Sequence, residues 1–230
     1  MLQNISMLQN ISMLQNLKKD VQIDGLILDV DGTLWDSTPI VASAWTKAVR
    51  KNGCEGLTIT ADMLRQLFGK TMNVIADMLL PELPAEERYR IMDVCCEYEH
   101  KALAEDECNI CYTGVVDTIR TLSEKLPLFI VSNCQSGYIE LFLEKTGLSS
   151  CIKDIECFGN TGKKKSENML LLMERNHLMH PIYVGDTQGD REASYEAGIP
   201  FIFASYGFGS VEDKEGQINT FSELLTLIQE

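Results

Sequence analysis

No run of apolar residues in this chain exceeds a few positions, and Met169 to Met173 is among the longest. A membrane-crossing helix needs ~18, so none is expected. Histidine is scarce: His100, His177 and His180 are the only three in 230 residues. That shortage leaves the eight cysteines without the matched ligands of a zinc site. Cys54, Cys95, Cys96, Cys108, Cys111, Cys134, Cys151 and Cys157 are scattered, and they read as reduced thiols of a cytoplasmic protein. Positive charge is short as well, with 20 Lys and Arg against 34 Asp and Glu and a formal net charge of -14. Nucleic acid and anionic membrane surfaces select for clustered basic residues, so neither is an expected partner. The acidic balance suits a site that holds a divalent cation.

What is present is ordinary for a globular chain, with 45% hydrophobic residues and enough length for one large core or a core with an insert. The N-terminus repeats itself: Met1-Leu-Gln-Asn-Ile-Ser6 recurs from Met7 to Ser12 and begins again at Met13. A period of six fits neither a heptad nor a solenoid unit, and there is no basic start followed by an apolar core. Residues 1–20 are therefore expected to be an extension outside the domain.

The stretch that organises the chain is Gly25-Leu-Ile-Leu-Asp-Val-Asp-Gly-Thr-Leu34. Its apolar start reads as a strand buried on both faces, which delivers Asp29 and Asp31 at its C-terminal end. In extended chain, residues two apart share a side, so two negative charges would sit close together. Asp31-Gly32 alone would also fit a tight turn.

Strand signals then vanish until residue 126. Helices are expected at Pro39 to Lys51, Ala61 to Phe68, Met72 to Leu80 and Ala85 to Ala104, broken at Gly53, Gly69 and Pro81 to Pro84. A further helix places Val115, Ile119, Leu122 and Leu126 on one face. From there strand and helix alternate: strands at 128–131, 154–158, 181–184 and 201–204, helices at 135–145, 166–175, 189–197 and 221–228. Alternation of this kind predicts an α/β protein, a three-layer Rossmann-like parallel sheet core with an inserted all-helical cap. The expected divisions are a core of residues 21–37 and 113–230 and a cap of residues 38–112.

Ligands of such sheets bind at the carboxyl ends of the strands. The polar residues found there are Asp29 and Asp31, Ser132 and Asn133, and Asp186 and Asp190. Ser132-Asn133 before a helix suits a phosphate through free N–H groups and a hydroxyl, and also suits a plain helix cap. Four carboxylates in one crevice would repel or stay protonated unless a hard dication sits among them, and Mg2+ is the economical choice. Gly162-Lys163-Lys164-Lys165 adds cations to an otherwise acidic chain, and one lysine suffices to neutralise a phosphoryl group.

With these four stretches in order, the chain from about Asp24 onward resembles the haloacid dehalogenase-like hydrolases, whose first motif is matched by Asp29-Val-Asp-Gly-Thr33. The helical insert resembles the cap of phosphoglycolate phosphatase and beta-phosphoglucomutase-like members, and Tyr112-Thr-Gly114 resembles its return hinge. The resemblance implies a Mg2+-dependent phosphatase acting on a small phosphorylated metabolite, with Asp29 as nucleophile and Asp31 as acid and base. It implies metal ligation by Asp29, Asp31 and Asp186, with Asp190 at the metal or behind Lys165. Thr33, Ser132 and Asn133 would orient the phosphoryl oxygens or Asp31. Lys165 best matches the third motif, whose usual following proline is absent, so Lys163 and Lys164 stay open. A phosphomutase shares every motif, and a silent regulatory homologue shares the fold. Lys70, in Phe68-Gly-Lys-Thr71 at the cap tip, is the expected contact to the leaving group. A monomer or weak dimer is expected.

Overall fold

The computed structural model describes residues 22–229, so the expected extension at 1–20 lies outside the described residues. Six strands form one sheet: β1 (Gly25–Leu28), β2 (Leu128–Ser132), β3 (Asp154–Cys157), β4 (Pro181–Gly185), β5 (Phe201–Ala204) and β6 (Gly216–Ile218). Their order is β3-β2-β1-β4-β5-β6 and every pairing is parallel. Alternate strand residues feed two cores. Leu26, Leu28, Ile130, Ile182, Val184 and Ile202 enter one, while Ile27, Phe129, Val131, Tyr183 and Phe201 enter the other. A strand with apolar neighbours on both faces reads as a continuous apolar run, which is why these segments stand out in the sequence.

Between β1 and β2 lie α1 (Thr38–Lys51), α2 (Ala61–Leu67), α3 (Met72–Leu79), α4 (Ala85–Glu105) and α5 (Val115–Ser123). The first four form the insert, and α5 already covers the sheet through Val115, Ile119 and Leu122. After β2 come α6 (Tyr138–Thr146), the single turn α7 (Phe158–Thr161), α8 (Lys165–Asn176), α9 (Gln188–Ala197) and α10 (Leu224–Gln229). Met169 and Leu172 of α8 and Ala193 of α9 pack on the face opposite to α5 and α6. The result is the expected α/β core with helices on both sides.

Three details differ from expectation. The helix after β2 starts at Tyr138, not near residue 135, because Gly137 takes a left-handed conformation (φ 86°) just before it. β6 and α7 were not expected, since three or four residues are too few to show a period. The C-terminal segment opens with a 3-10 turn at Phe221–Glu223 before α10 begins.

The chain runs outward from β1 to β2 and β3, then returns to β4 on the other side of β1. Such a reversal opens a crevice at the strand ends between β1 and β4. The insert leaves and re-enters beside it on two paired connectors: Asp36 N–H donates to the Ile110 carbonyl (2.9 Å) and Tyr112 N–H to that of Leu34 (3.1 Å). Both lie next to the expected divisions at 37 and 113. At the far end, the Phe68 ring packs 6.4 Å from that of Phe208, and Asn133 Nδ2 donates to the Gly69 carbonyl (2.7 Å). The tip of the insert therefore rests on the core.

Candidate active site

β1 ends where its apolar run ends, and the next residue is Asp29, 2% exposed. Its N–H donates to the Val184 carbonyl (2.9 Å), extending the pairing with β4 by one residue and fixing the carboxylate over the crevice. Lys165, at the first turn of α8, reaches across with Nζ 2.9 Å from Asp29 Oδ1 and 2.6 Å from Asp190 Oδ1. All three side chains are at most 4% exposed. Lys163 and Lys164 are exposed, and Lys164 faces Glu196 at 3.5 Å. Geometry thus separates three adjacent lysines that composition could not.

Electrostatics follow from burial with one cation among several acids. Burial pushes Asp29 up to about 7 despite the charge of Lys165, and Asp190 adds to the rise. Burial would raise Asp190 as well, but Lys165 and the Thr187 bonds hold it below the ordinary range. Burial and then the charges of Asp190 and Asp29 push Asp186 well above that range. Lys165 is pulled down by burial and, on balance, held up by the two aspartates.

Asp31 sits apart from this cluster. Its Oδ1 accepts from Ser37 Oγ (2.7 Å), Tyr138 Oη (2.7 Å) and Trp35 Nε1 (3.1 Å). Burial raises its pKa to about 6, with those three donors opposing the rise. A carboxyl poised near neutrality suits proton transfer in both directions.

Gly32 makes the turn between the two parts possible. Its φ is +81°, and a Cβ there would fall on the Asp186 carboxylate. Only glycine adopts that conformation while leaving the space to a neighbouring acid.

The chemistry of the donor set fits a dication. Asp29, Asp186 and Asp190 each present a carboxylate oxygen within 4.8 Å of the others, and a single lysine does not neutralise three acids. The oxygens of Asp190 are already engaged: Oδ1 by Lys165 and Tyr183 Oη, Oδ2 by Thr187 Oγ1 and N–H and the Asp186 N–H. Of the two expected places for Asp190, at the metal or behind Lys165, these contacts show it holding the Lys165 ammonium while it stays within the acidic group. Among the described residues, Asp186 accepts only from the Phe208 N–H (2.7 Å) and the Thr33 hydroxyl (3.4 Å).

Two further candidate residues have partners within the protein. The Thr33 hydroxyl is fully buried and donates to Asp186 Oδ1 (3.4 Å), so it supports that carboxylate. The Asn133 amide nitrogen donates to the Gly69 carbonyl, and its buried Oδ1 accepts no hydrogen bond from the described residues. Ser132 and exposed Lys70 both line the cleft. Residues that sequence reasoning missed are Trp35, Ser37 and Tyr138 around Asp31, and Glu99 and Gln135 on the cleft wall. Among the described residues no helix is long and apolar enough to cross a membrane.

Comparison with known proteins finds relatives in both sequence and fold. A phosphoglycolate phosphatase of Escherichia coli O157:H7 is 28% identical over 217 residues, covering 84% of this chain and 85% of that protein. One from Photobacterium profundum is 25% identical over 233 residues, covering 93% and 99%. Among solved structures, a predicted phosphatase from Clostridium acetobutylicum superposes with a TM-score of 0.78 at 20% identity, covering 91% of this chain and 99% of that one. A predicted phosphoglycolate phosphatase from Haemophilus somnus 129pt gives the same score and identity, covering 90% and 99%. Residues 26–204 match the model of the haloacid dehalogenase-like hydrolases, and the chain belongs to that family.

Proposed function

We propose that this phosphatase of the haloacid dehalogenase-like family hydrolyses a small phosphate monoester through a covalent phosphoryl-enzyme formed on Asp29. The observation that carries the reading is Lys165 bridging Asp29 and Asp190 in the crevice between β1 and β4, with Asp31 held separately beside it.

In the first step an Asp29 oxygen attacks phosphorus, and the bond from phosphorus to the ester oxygen breaks. Asp31 gives its proton to the departing alkoxide, which leaves as an alcohol. In the second step Asp31 takes a proton from water as that water attacks phosphorus, releasing inorganic phosphate and restoring Asp29. Lys165 offsets the repulsion between the Asp29 carboxylate and the phosphoryl oxygens, and Asp190 holds the ammonium in place. Bound Mg2+, held by Asp29, Asp186 and the Asp31 main-chain carbonyl, would keep Asp29 ionised and offset phosphoryl charge. Ser132 at the end of β2 offers its hydroxyl to the phosphoryl group.

The phosphomutase reading gains no support from the relatives, whose names are those of phosphatases. A silent homologue would lack one of these residues, and none is missing. Asp29→Asn tests the proposal: the amide keeps the shape and is a poor nucleophile. With p-nitrophenyl phosphate and Mg2+, phosphate release is expected to fall at least about 10³-fold while circular dichroism stays unchanged. Retention of more than a few per cent of the rate, or an isomerised ester in place of free phosphate, refutes it.

A further inference from the structure

Between insert and core lies a narrow cleft, which also holds Asp29 and Asp31. Trp45, Phe68, Met72, Ile75, Glu99 and Gln135 line it together with those aspartates. Among the first five, all from the insert, only Glu99 can form strong hydrogen bonds with a ligand as an acceptor. It is 2% exposed, at the middle of α4. Its Oε2 accepts from Trp45 Nε1 (2.6 Å) and its Oε1 from Gln135 Nε2 (2.8 Å), so two neutral donors serve a group with room for about four. No cation pairs with Glu99 among the ion pairs of the described residues. A second acceptor in the same cleft, Asn133 Oδ1, is buried and accepts no hydrogen bond from the described residues.

We propose that Glu99 is the specificity-determining residue of the insert, and that it selects phosphate esters whose leaving group is hydroxylated and uncharged, a polyol or sugar. The proposal rests on the phosphatase reading above and names its substrate class. Two buried acceptors call for donors, and a hydroxyl supplies one. A hydroxyl also accepts, so it matches Glu99 whether the carboxyl is ionised or protonated. Burial and the nearby charge of Asp31 raise the Glu99 pKa to about 8, although Gln135 and Trp45 oppose the rise, so both forms occur near neutrality. A leaving-group carboxylate meets repulsion from the ionised form in surroundings that screen little. Lys70 also lines the cleft, but it is exposed to solvent, where its charge is screened.

The test compares three esters of similar size on the full chain with Mg2+: glycerol phosphate, propyl phosphate, which lacks the two hydroxyls, and phosphoglycolate, which carries a carboxylate. Wild type is expected to favour glycerol phosphate over each of the others by about tenfold or more in kcat/KM, since a site built to bond hydroxyls rejects analogues lacking them. Glu99→Ala should erase that preference, lowering kcat/KM for glycerol phosphate about tenfold more than for propyl phosphate. Glu99→Gln, which keeps one acceptor oxygen, should retain part of it. A wild-type preference for phosphoglycolate or propyl phosphate, or an equal loss on all esters in both variants, overturns the proposal. Should the variants not fold, the Trp45 indole N–H resonance of the Asp29→Asn chain provides the readout. It should shift with glycerol phosphate and stay in place with propyl phosphate; the same response to both also overturns the proposal. Failure of the phosphatase reading looks different, because wild type would then release phosphate from none of the three.

Discussion

Replacing Lys165 by Met removes the one cation of the buried cluster at nearly constant volume. Its ammonium lies 2.9 Å from Asp29 and 2.6 Å from Asp190, and all three groups are at most 4% exposed. Breaking a buried pair by deleting one partner costs about 3–5 kcal/mol, because the remaining charge has neither water nor counter-charge. The cost depends on pH in a definite direction. In wild type, Lys165 and the Thr187 bonds hold Asp190 below its ordinary pKa, a contribution present above that value and lost only on acidification. In the variant both aspartates bind protons more tightly when folded than when unfolded. One proton so retained across two pH units offsets about 2.7 kcal/mol of the loss. Urea unfolding in excess chelator should therefore show a destabilisation of about 3–5 kcal/mol at pH 8, shrinking by about 2.7 kcal/mol to roughly 0.3–2.3 kcal/mol at pH 6. Lys163→Met and Lys164→Met, at exposed positions, should stay within about 0.5 kcal/mol of wild type. Phosphate release by Lys165→Met should fall about 10³-fold, the scale of losing a group that stabilises developing charge. A loss below about 1 kcal/mol at pH 8, or the same loss at both pH values, would refute the reasoning.

The other expectations follow from the same geometry. Removing Mg2+ with chelator should abolish activity; Asp186→Ala should then fail to recover it on readdition, whereas Asp190→Ala should keep a measurable Mg2+ response at a reduced rate, and equal responses would reject the ligand assignment. Tyr138→Phe deletes a donor to ionised Asp31 and so should raise its pKa above about 6, moving the corresponding limb of the kcat profile to higher pH; an unmoved limb would mean that another group titrates there. Glu99, raised to about 8 from an unfolded value near 4.5, favours the fold when protonated; wild type should lose up to about 2.7 kcal/mol between pH 6 and 8 through this group, a loss that Glu99→Gln lacks when followed by urea unfolding.

The sheet and the motif at its centre were legible because their physics is local. A strand buried on both faces has to be apolar along its whole length, and acids at its end stand out against that run, as at Leu28-Asp29 and Gly185-Asp186. The lysine was legible only as one of three, since side-chain reach across 136 positions leaves no periodic trace. The surroundings of Asp31 were not legible for the same reason: Trp35 and Ser37 are close in sequence, but Tyr138 arrives from 107 positions away. Glu99 was hidden by its own helix. Glu97, Glu99 and Glu105 are acids of one helix, α4, and only packing against α1 distinguishes the buried member. Thr33 and Asn133 show the converse, polar residues at the right strand ends whose hydrogen bonds serve the protein itself.

The connectors at 34–36 and 110–112 have a bearing on proton affinity. Ser37 stands at the root of α1 and Tyr138 at the root of α6, so the two hydroxyls, 2.9 Å apart, belong to opposite sides of the passage between insert and core. Both grip the same oxygen of Asp31. Asp31 therefore draws its donors from both flanks of that passage, so the proton affinity of this carboxyl registers how insert and core are set against each other.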